Sequence, residues 1–233
     1  CGAPRLARFV TRSGEASAAL RYPIWDHVVR LIHWYFPVAI AVMWWSGEQG
    51  RTDIHEKVGY SIFCLVATRV IWGFVGSEGA RFRSFVVGPN VVLRYLREGG
   101  QYAGHNPMGA LSVLVLLSLL LLQSVLGMFS RDDLLFEGPF SYWAGSWSGT
   151  LTEWHKTNWL LLQGFIALHL IAVFWYQWRK RQPLLQAMWR GQAGYKSAST
   201  RPKPLWWALL TLMLTVLALW WLISQAPEAP SYY

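Results

Sequence analysis

The stretch WHKTNWLLLQGFIALHLIAVFWYQW, residues 154–178, is apolar enough to lie in a membrane, yet it contains His155 and His169. The two histidines are fourteen residues apart. An α-helix rises about 1.5 Å and turns about 100° per residue, so they are separated by about 21 Å along the helix axis and lie within about 40° of the same face. Ionisable side chains are costly inside a membrane, so two imidazoles on one helix face predict a functional role.

The composition of the whole chain agrees with a membrane protein. The 233 residues are 54% hydrophobic and 14% charged, whereas soluble domains have about 25% charged residues. The net charge of +9 suggests nucleic-acid binding, but the basic residues lie between long apolar runs, so we exclude that function. The two cysteines, Cys1 and Cys64, form no C-x-x-C motif, and residues 1–20 do not resemble a signal peptide.

Five apolar stretches are long enough to cross a bilayer, which requires about 20 residues. They cover residues 28–46, 56–75, 108–129, 155–178 and 205–223. The sequence therefore predicts an all-α membrane protein: a four-helix transmembrane bundle followed by a fifth, C-terminal transmembrane helix.

Lysine and arginine predict the orientation. Apart from Arg69, sixteen of the 21 lie in residues 1–30, 81–97 and 179–203, all on one side of a five-span protein, against four on the other side. Such residues accumulate on the cytoplasmic side, so we expect a cytoplasmic N-terminus and a periplasmic C-terminus. The chain then divides into a cytoplasmic segment, a four-helix core, a basic cytoplasmic connection and a fifth span with its tail: residues 1–27, 28–178, 179–204 and 205–233.

This orientation sorts four histidines into two depth-matched pairs. His33 begins the first span on the inner side, at the depth of His169 in the fourth. His55 begins the second span on the outer side, at the depth of His155. The alternative for any one of them is a polar residue at the membrane interface. His27 and His105 are interpreted as surface residues, with His27 a weaker substitute for His33.

Two imidazoles that face each other across a helical bundle are able to bind one haem iron from both sides. Because no cysteine motif for covalent attachment exists, the sequence predicts two non-covalent b-type haems. Iron with two histidine ligands has no open position for a substrate, and such a centre transfers single electrons.

Glycine and arginine residues on the second span are further candidates for haem contact. Gly59 follows His55 by four residues and Gly73 follows Gly59 by fourteen, and glycine allows a flat group to approach the backbone. The alternative is ordinary packing of small residues between helices. Arg69, on the face of His55, is a candidate partner for haem propionates, or else extends to the inner headgroups. The third span has Gly109 and Gly127 but no histidine, and is predicted to form a wall.

The segments DHVVRLIHW, IHEKVGYSIF, TRVIWGF and EWHKTNWLLLQGFIALHL, within residues 22–178, resemble the bacterial cytochrome b561 family and the related di-haem cytochrome b subunits of membrane nickel–iron hydrogenases. The resemblance implies that His33, His55, His155 and His169 match the haem-ligand positions. It also implies a bacterial inner-membrane protein that exchanges electrons between the quinone pool and a redox partner. The fifth span lies outside the four-helix core of the smallest members.

We therefore expect an electron-transfer subunit of a respiratory complex rather than a stand-alone enzyme, with quinone as substrate and a periplasmic cytochrome or hydrogenase-like subunit as partner. One alternative is a quinone-linked superoxide oxidase, which would need a basic outer funnel to attract the anion. Another is a haem-free, proton-coupled transporter that uses the histidines and Arg69.

The longest outer loop, residues 130–154, is predicted to dock the periplasmic partner. It contains Asp132, Asp133, Glu137 and Glu153 against Arg131, a formal charge of −3. Aromatic residues are typical of the centre of a protein interface. Charged residues are typical of its rim, where they steer the approach of the partner. The alternative is an aromatic belt at the membrane surface beside a solvated acidic loop. The aromatic residues of this loop include Phe140, Tyr142, Trp143 and Trp147.

Overall fold

The computed structural model describes residues 22–23, 26–98, 106–132, 136–193 and 203–227. Within them, five helical segments are long and apolar enough to cross a membrane, as predicted. The helices are α1 (His27–Glu48), α2 (Thr52–Val75), α3 (Pro89–Glu98), α4 (Pro107–Phe129), α5 (Ser141–Ala144), α6 (Ser148–Trp178), α7 (Leu184–Arg190) and α8 (Leu205–Ser224). His105 and the basic residues of 1–21 lie outside the described residues.

The protein is an all-α membrane protein, and four of its long helices share one core. Buried apolar residues of α1, α2, α4 and α6 meet at mid-height of the bundle. Helix α2 is central, because it packs against α1, α4 and α8. The shared core consists of Ala39, Ile62, Val66, Leu117, Leu120 and Leu162.

Helix α6 begins at Ser148, seven residues before the predicted start of the fourth span. The polar stretch SGTLTEW was interpreted as loop, and this interpretation was wrong. Thr152 explains the difference, because its Oγ1 accepts from Arg131 N (3.0 Å) and its single hydroxyl hydrogen is shared between Arg131 O (3.0 Å) and Ser148 O (2.9 Å). A long-range contact therefore stabilises a turn that has little apolar content of its own.

The end of the bundle that the charge pattern predicts to be periplasmic, called here the outer end, is closed by residues 130–132 and 136–147, called here the outer cap; the opposite end is called the inner end. Two short strands, Arg131–Asp132 and Phe136–Glu137, pair antiparallel; Asp133 lies outside the described residues. Phe140 is buried and stacks on Trp143 with ring centroids 4.9 Å apart. Gly138 N donates to Ser130 O (2.8 Å), and a Cβ on Gly138 would lie 2.5 Å from the oxygen of Met128. Glycine is therefore needed for the cap to approach the end of α4.

The inner end of the bundle is tied to the basic connection, which contains α7. Arg30 Nε donates to Met188 O (3.0 Å), and its Nη2 donates to Trp189 O. Residues Tyr22–Pro23 also pair antiparallel with Gln192–Ala193. The inner segments before α1 and after α6 therefore lie together, as a shared membrane side requires.

Helix α8 packs on the outside of α2 through small and hydroxylated residues. Its buried positions are Ala208, Thr211, Thr215 and Leu219. Thr68 Oγ1 and Thr215 Oγ1 are hydrogen-bonded at 3.1 Å, and Thr215 Oγ1 also lies 3.4 Å from Cys64 O. The fifth span therefore takes no part in the mid-height core, but Ala208 and Leu219 join buried clusters on either side of it.

We expect the hydrogen bond between Thr68 and Thr215 to stabilise this attachment by roughly 0.6 kcal/mol, the average for such bonds between membrane helices. A double-mutant cycle of Thr68→Val and Thr215→Val, measured by unfolding in detergent, tests this value. The haem content of either variant should equal that of the wild type, because the two threonines lie at the contact between α2 and α8. A change in haem content would show that α8 supports the four-helix core.

Candidate haem-binding sites

His55 and His155 face each other at the outer end of the bundle. His55 lies in the first turn of α2 and His155 in the second turn of α6. Their ring centroids are 6.3 Å apart and the ring planes are inclined by 72°. Helix direction alone placed them at one depth, and packing of α2 and α6 around α4 turns them towards one another.

The Nδ1 atoms of both outer histidines are bonded to backbone carbonyls. His55 Nδ1 donates to Met43 O (3.1 Å) and also contacts Ser46 Oγ (3.2 Å). His155 Nδ1 donates to Gln123 O (3.0 Å). Because a carbonyl only accepts, Nδ1 carries the hydrogen in each ring and Nε2 has the lone pair; in His155 this Nε2 lies 3.2 Å from the side-chain Nε2 of Gln123. This is the usual arrangement of a metal-binding histidine, whose second nitrogen is oriented by an acceptor.

A cavity of about 360 Å³ lies beside these two rings, lined by residues of α1, α2, α4 and α6 and by the outer cap. Three glycines, Gly47, Gly59 and Gly127, widen it. A Cβ on Gly127 would lie 3.0 Å from Cε1 of His155, closer than such contacts normally allow. Sequence reasoning treated α4 as a wall and did not assign Gly127 to the site. Its position four residues after Gln123 was the signal available.

The two glycines predicted to contact haem differ in their surroundings. Gly59 lines the outer cavity, where an added Cβ would be in ordinary contact with Met43 Cε at 3.6 Å. Gly73 is packed against the ring of Phe82, which an added Cβ would overlap. Gly73 therefore makes room for a side chain of the inner loop in this structure.

His33 and His169 form the inner layer. They lie near enough to interact electrostatically. His169 Nδ1 is 3.2 Å from Ser112 Oγ. His33 Nδ1 is buried and has no hydrogen-bond partner among the described residues. The structure thus brings the predicted inner pair into one region, with fewer polar partners than the outer pair.

Arg69 is a buried cation on the inner half of α2. Its side chain belongs to a residue only 5% exposed, and its Nη1 has no hydrogen-bond partner in the described part of the chain. The guanidinium carbon lies 5.4 Å from the centroid of Phe82. Asp26 lies near enough to interact electrostatically with Arg69, but the salt bridges found among the described residues do not include this pair. Because the Arg69 side chain is buried, it does not extend to the lipid headgroups. Its Nη1 is available to an anionic group of a ligand.

The family model of prokaryotic cytochrome b561 matches residues 24–191. The chain belongs to the prokaryotic cytochrome b561 family. It is therefore a multi-pass membrane cytochrome of the b type that functions in electron transfer. No curated protein and no solved structure matches the chain.

The residues of this cytochrome fit the b-type haem that its family implies. The described residues contain no cluster of three or more histidine, cysteine or acidic side chains able to hold a metal ion. Haem supplies four ligands of its own and needs two from the protein. A centroid separation of 6.3 Å leaves room for one metal ion between two imidazoles, whose bonds to metal are each about 2 Å long.

We expect Gly127→Val to reduce haem content by roughly half, because the added side chain would occupy the space of the His155 ring at the outer site. The matched control is Gly164→Val on α6, where an added Cβ meets no atom within 4 Å. Pyridine haemochrome assays of both purified variants measure the effect. Equal haem content in the two variants would contradict the role of Gly127.

Proposed function

We propose that this cytochrome binds two haems, one between His55 and His155 and one between His33 and His169, and transfers electrons across the inner membrane. Iron held by two imidazoles exchanges one electron at a time without binding a substrate. The observation that carries the proposal is the outer pair: two facing rings, each oriented by a backbone carbonyl, beside a cavity.

Helix α6 would set the spacing of the two sites, because it supplies one ligand to each. It is continuous from Ser148 to Trp178, so His155 and His169 are separated by about 21 Å along its axis. Both ligands therefore depend on one rigid element, and His33 and His55 complete the pairs from α1 and α2. This arrangement supports two redox positions on opposite halves of the membrane.

Arg69 would stabilise the inner haem through its propionates. The support is a buried guanidinium whose Nη1 is not hydrogen-bonded within the described protein. A carboxylate group of the ligand would supply the missing acceptor and offset the cost of the buried charge. Gly59 would allow the outer haem to approach α2, whereas the contact between Gly73 and Phe82 gives no comparable support on the inner side.

The outer cap and the start of α6 would dock a periplasmic redox partner, while the quinone pool supplies or receives electrons in the membrane. The support is an ordered cap with large exposed aromatic rings: Trp143, Trp147 and Trp154 are 46%, 63% and 54% exposed. Glu137 is paired with Arg131 (3.1 Å) and Glu153 with Lys156 (2.8 Å). The acidic residues of 130–154, including Asp132 and Asp133, would supply the charges that steer a partner.

The two alternative functions have less support. Membership of a cytochrome family favours electron transfer over a haem-free transporter. For a superoxide oxidase, the outer cavity would have to attract an anion, but Glu48 and Glu56 lie beside Lys156 in its lining. That mixture does not create the basic funnel such an activity would use.

The haem assignment is tested by His169→Ala. Wild-type protein should contain about two haems per chain, because four imidazoles serve two irons. The variant should lose the inner haem and keep the outer one. Pyridine haemochrome assays give the stoichiometry, and low-temperature spectra show which haem remains.

His27→Ala is the matched control, because His27 lies on the same inner side as His33 and is exposed. It should retain both haems. One haem in fully loaded wild-type protein, or a structure with His33 and His155 on one iron, would refute the proposed pairing.

The docking proposal is tested by Asp132→Asn combined with Asp133→Asn. Electron transfer to a basic partner should slow at low salt, and its salt dependence should flatten, because added salt shortens the Debye length from about 30 Å at 0.01 M to about 8 Å at 0.15 M. Stopped-flow measurement of haem oxidation gives both quantities. Glu153→Gln, which removes one negative charge of residues 130–154 instead of two, is the control and should have a smaller effect. An unchanged rate and salt response in the double variant would show that these acids do not steer the partner.

A further inference from the structure

Helix α3, in the connection between α2 and α4, has three distinct faces. Tyr95 is buried, whereas Leu93 and Leu96 are 52% and 60% exposed. Arg94 and Arg97 are exposed as well. Because a helix turns about 100° per residue, the two leucines lie about 60° apart, and so do the two arginines. Each pair is centred about 130° from Tyr95, so α3 turns an apolar face and a basic face away from the bundle.

Helix α6 fixes the level of α3 relative to the membrane. The hydroxyl groups of Tyr95 and Tyr176 are hydrogen-bonded at 2.6 Å, and α3 also contacts α4. Tyr176 lies two residues before the end of α6 at Trp178, and α6 is long and apolar enough to cross the membrane. The middle of α3 is therefore level with the inner end of a membrane span, which is the level of the lipid headgroups.

The connection that contains α3 is basic. The arginines at its surface are not neutralised by neighbouring acids, since the salt bridges of the described residues include neither Arg94 nor Arg97. Guanidinium groups bind phosphate through paired, charge-assisted hydrogen bonds. Residues 78–98 have a formal charge of +2, from Arg81, Arg83, Arg94 and Arg97 against Glu78 and Glu98.

An apolar face beside a basic face is typical of a helix that lies in the membrane interface. In such a helix the apolar side chains enter the boundary of the acyl chains, and the basic side chains remain among the headgroups. The bilayer surrounds the inner ends of α4 and α6, which α3 contacts. Lipid is therefore the group nearest to both faces of α3, and phosphate is the part of it that complements the arginines.

We propose that α3 is an interfacial helix that binds anionic phospholipid, with Arg94 and Arg97 on the headgroup and Leu93 and Leu96 among the acyl chains. Each basic residue near an anionic membrane surface contributes about a factor of five in affinity. A zwitterionic lipid offers the same acyl chains without net negative charge, so it binds α3 less tightly. The proposal concerns the inner surface of the bundle and does not depend on the proposed haem positions.

Arg94→Gln combined with Arg97→Gln tests the basic face. The full chain in detergent micelles is titrated with phosphatidylglycerol or phosphatidylcholine, and the rise in Tm is followed by tryptophan fluorescence. Phosphatidylglycerol should stabilise the wild type at lower concentration than phosphatidylcholine. In the double variant, the concentration of phosphatidylglycerol that gives half of the rise should increase roughly thirtyfold, because two basic residues are lost. An unchanged half-maximal concentration would overturn the proposal.

Two further double variants are matched controls. Arg94→Lys with Arg97→Lys keeps both charges and should retain the preference for phosphatidylglycerol. Arg179→Gln with Lys180→Gln removes two exposed positive charges directly after α6, at the same end of the bundle, and should change the half-maximal concentration much less. Equal losses in the α6 variant and the α3 variant would show that overall charge, rather than α3, selects the lipid.

Leu93→Ser combined with Leu96→Ser tests the apolar face. In nanodiscs that contain phosphatidylglycerol, which leave both membrane surfaces accessible, lipid over α3 should slow cleavage by trypsin after Arg94 and Arg97. The serine variant should be cleaved there several-fold faster, as measured by mass spectrometry of the fragments. Cleavage after Arg51, exposed at the outer end, is the internal control and should be equal in both proteins. Equal rates at the α3 sites would overturn the insertion of the leucines.

Other occupants of this surface give different results. Inorganic phosphate lacks acyl chains and should not reproduce the rise in Tm; an equal rise would show a general anion site and overturn the assignment to lipid. A serine variant that changes from dimer to monomer, with an unchanged response to phosphatidylglycerol, would assign the leucines to a contact with a second copy of the chain. That result would also overturn the lipid proposal.

Discussion

The cost of placing imidazole in a membrane constrains this protein more than any other feature. An ionisable side chain at membrane depth is retained where a partner compensates for lost water. His55 and His155 both meet that requirement, because each ring is bonded through Nδ1 to a carbonyl and lines a shared cavity. The surrounding residues in the outer half of the bundle hold the centroids of these two rings 6.3 Å apart.

Helix α4 is the element that makes this arrangement possible, although it has no histidine. Gln123 and Leu119 supply carbonyl oxygens to His155 and Asn158, and Gly127 leaves space for the imidazole ring. A larger residue at Gly127 would crowd the imidazole ring of His155. An apolar residue at position 123 would remove the side-chain amide that lies beside that ring. The helix that supplies no ligand thus controls the ligand of its neighbour.

The outer cap and helix α8 support the bundle without supplying a predicted haem ligand. The outer cap closes one end of the cavity through Phe136 and Pro139 and depends on Gly138 to approach α4. Helix α8 attaches to α2 through Thr215 and stays outside the shared core. Changes in the cap are therefore expected to affect the outer site first, whereas changes in α8 affect attachment.

The sequence by itself determined the five membrane segments and the sorting of His33, His55, His155 and His169 by depth, because span length, helix rise and charge asymmetry are local properties. It did not reveal that α6 starts at Ser148, since that turn is stabilised by Thr152 contacting Arg131. Only the tertiary structure decided that Gln123, Gly127 and Asn158 lie around His155. Their positions depend on the rotation of α4 against α6 and on which side chains meet, and neither follows from the periodicity of a uniformly apolar helix.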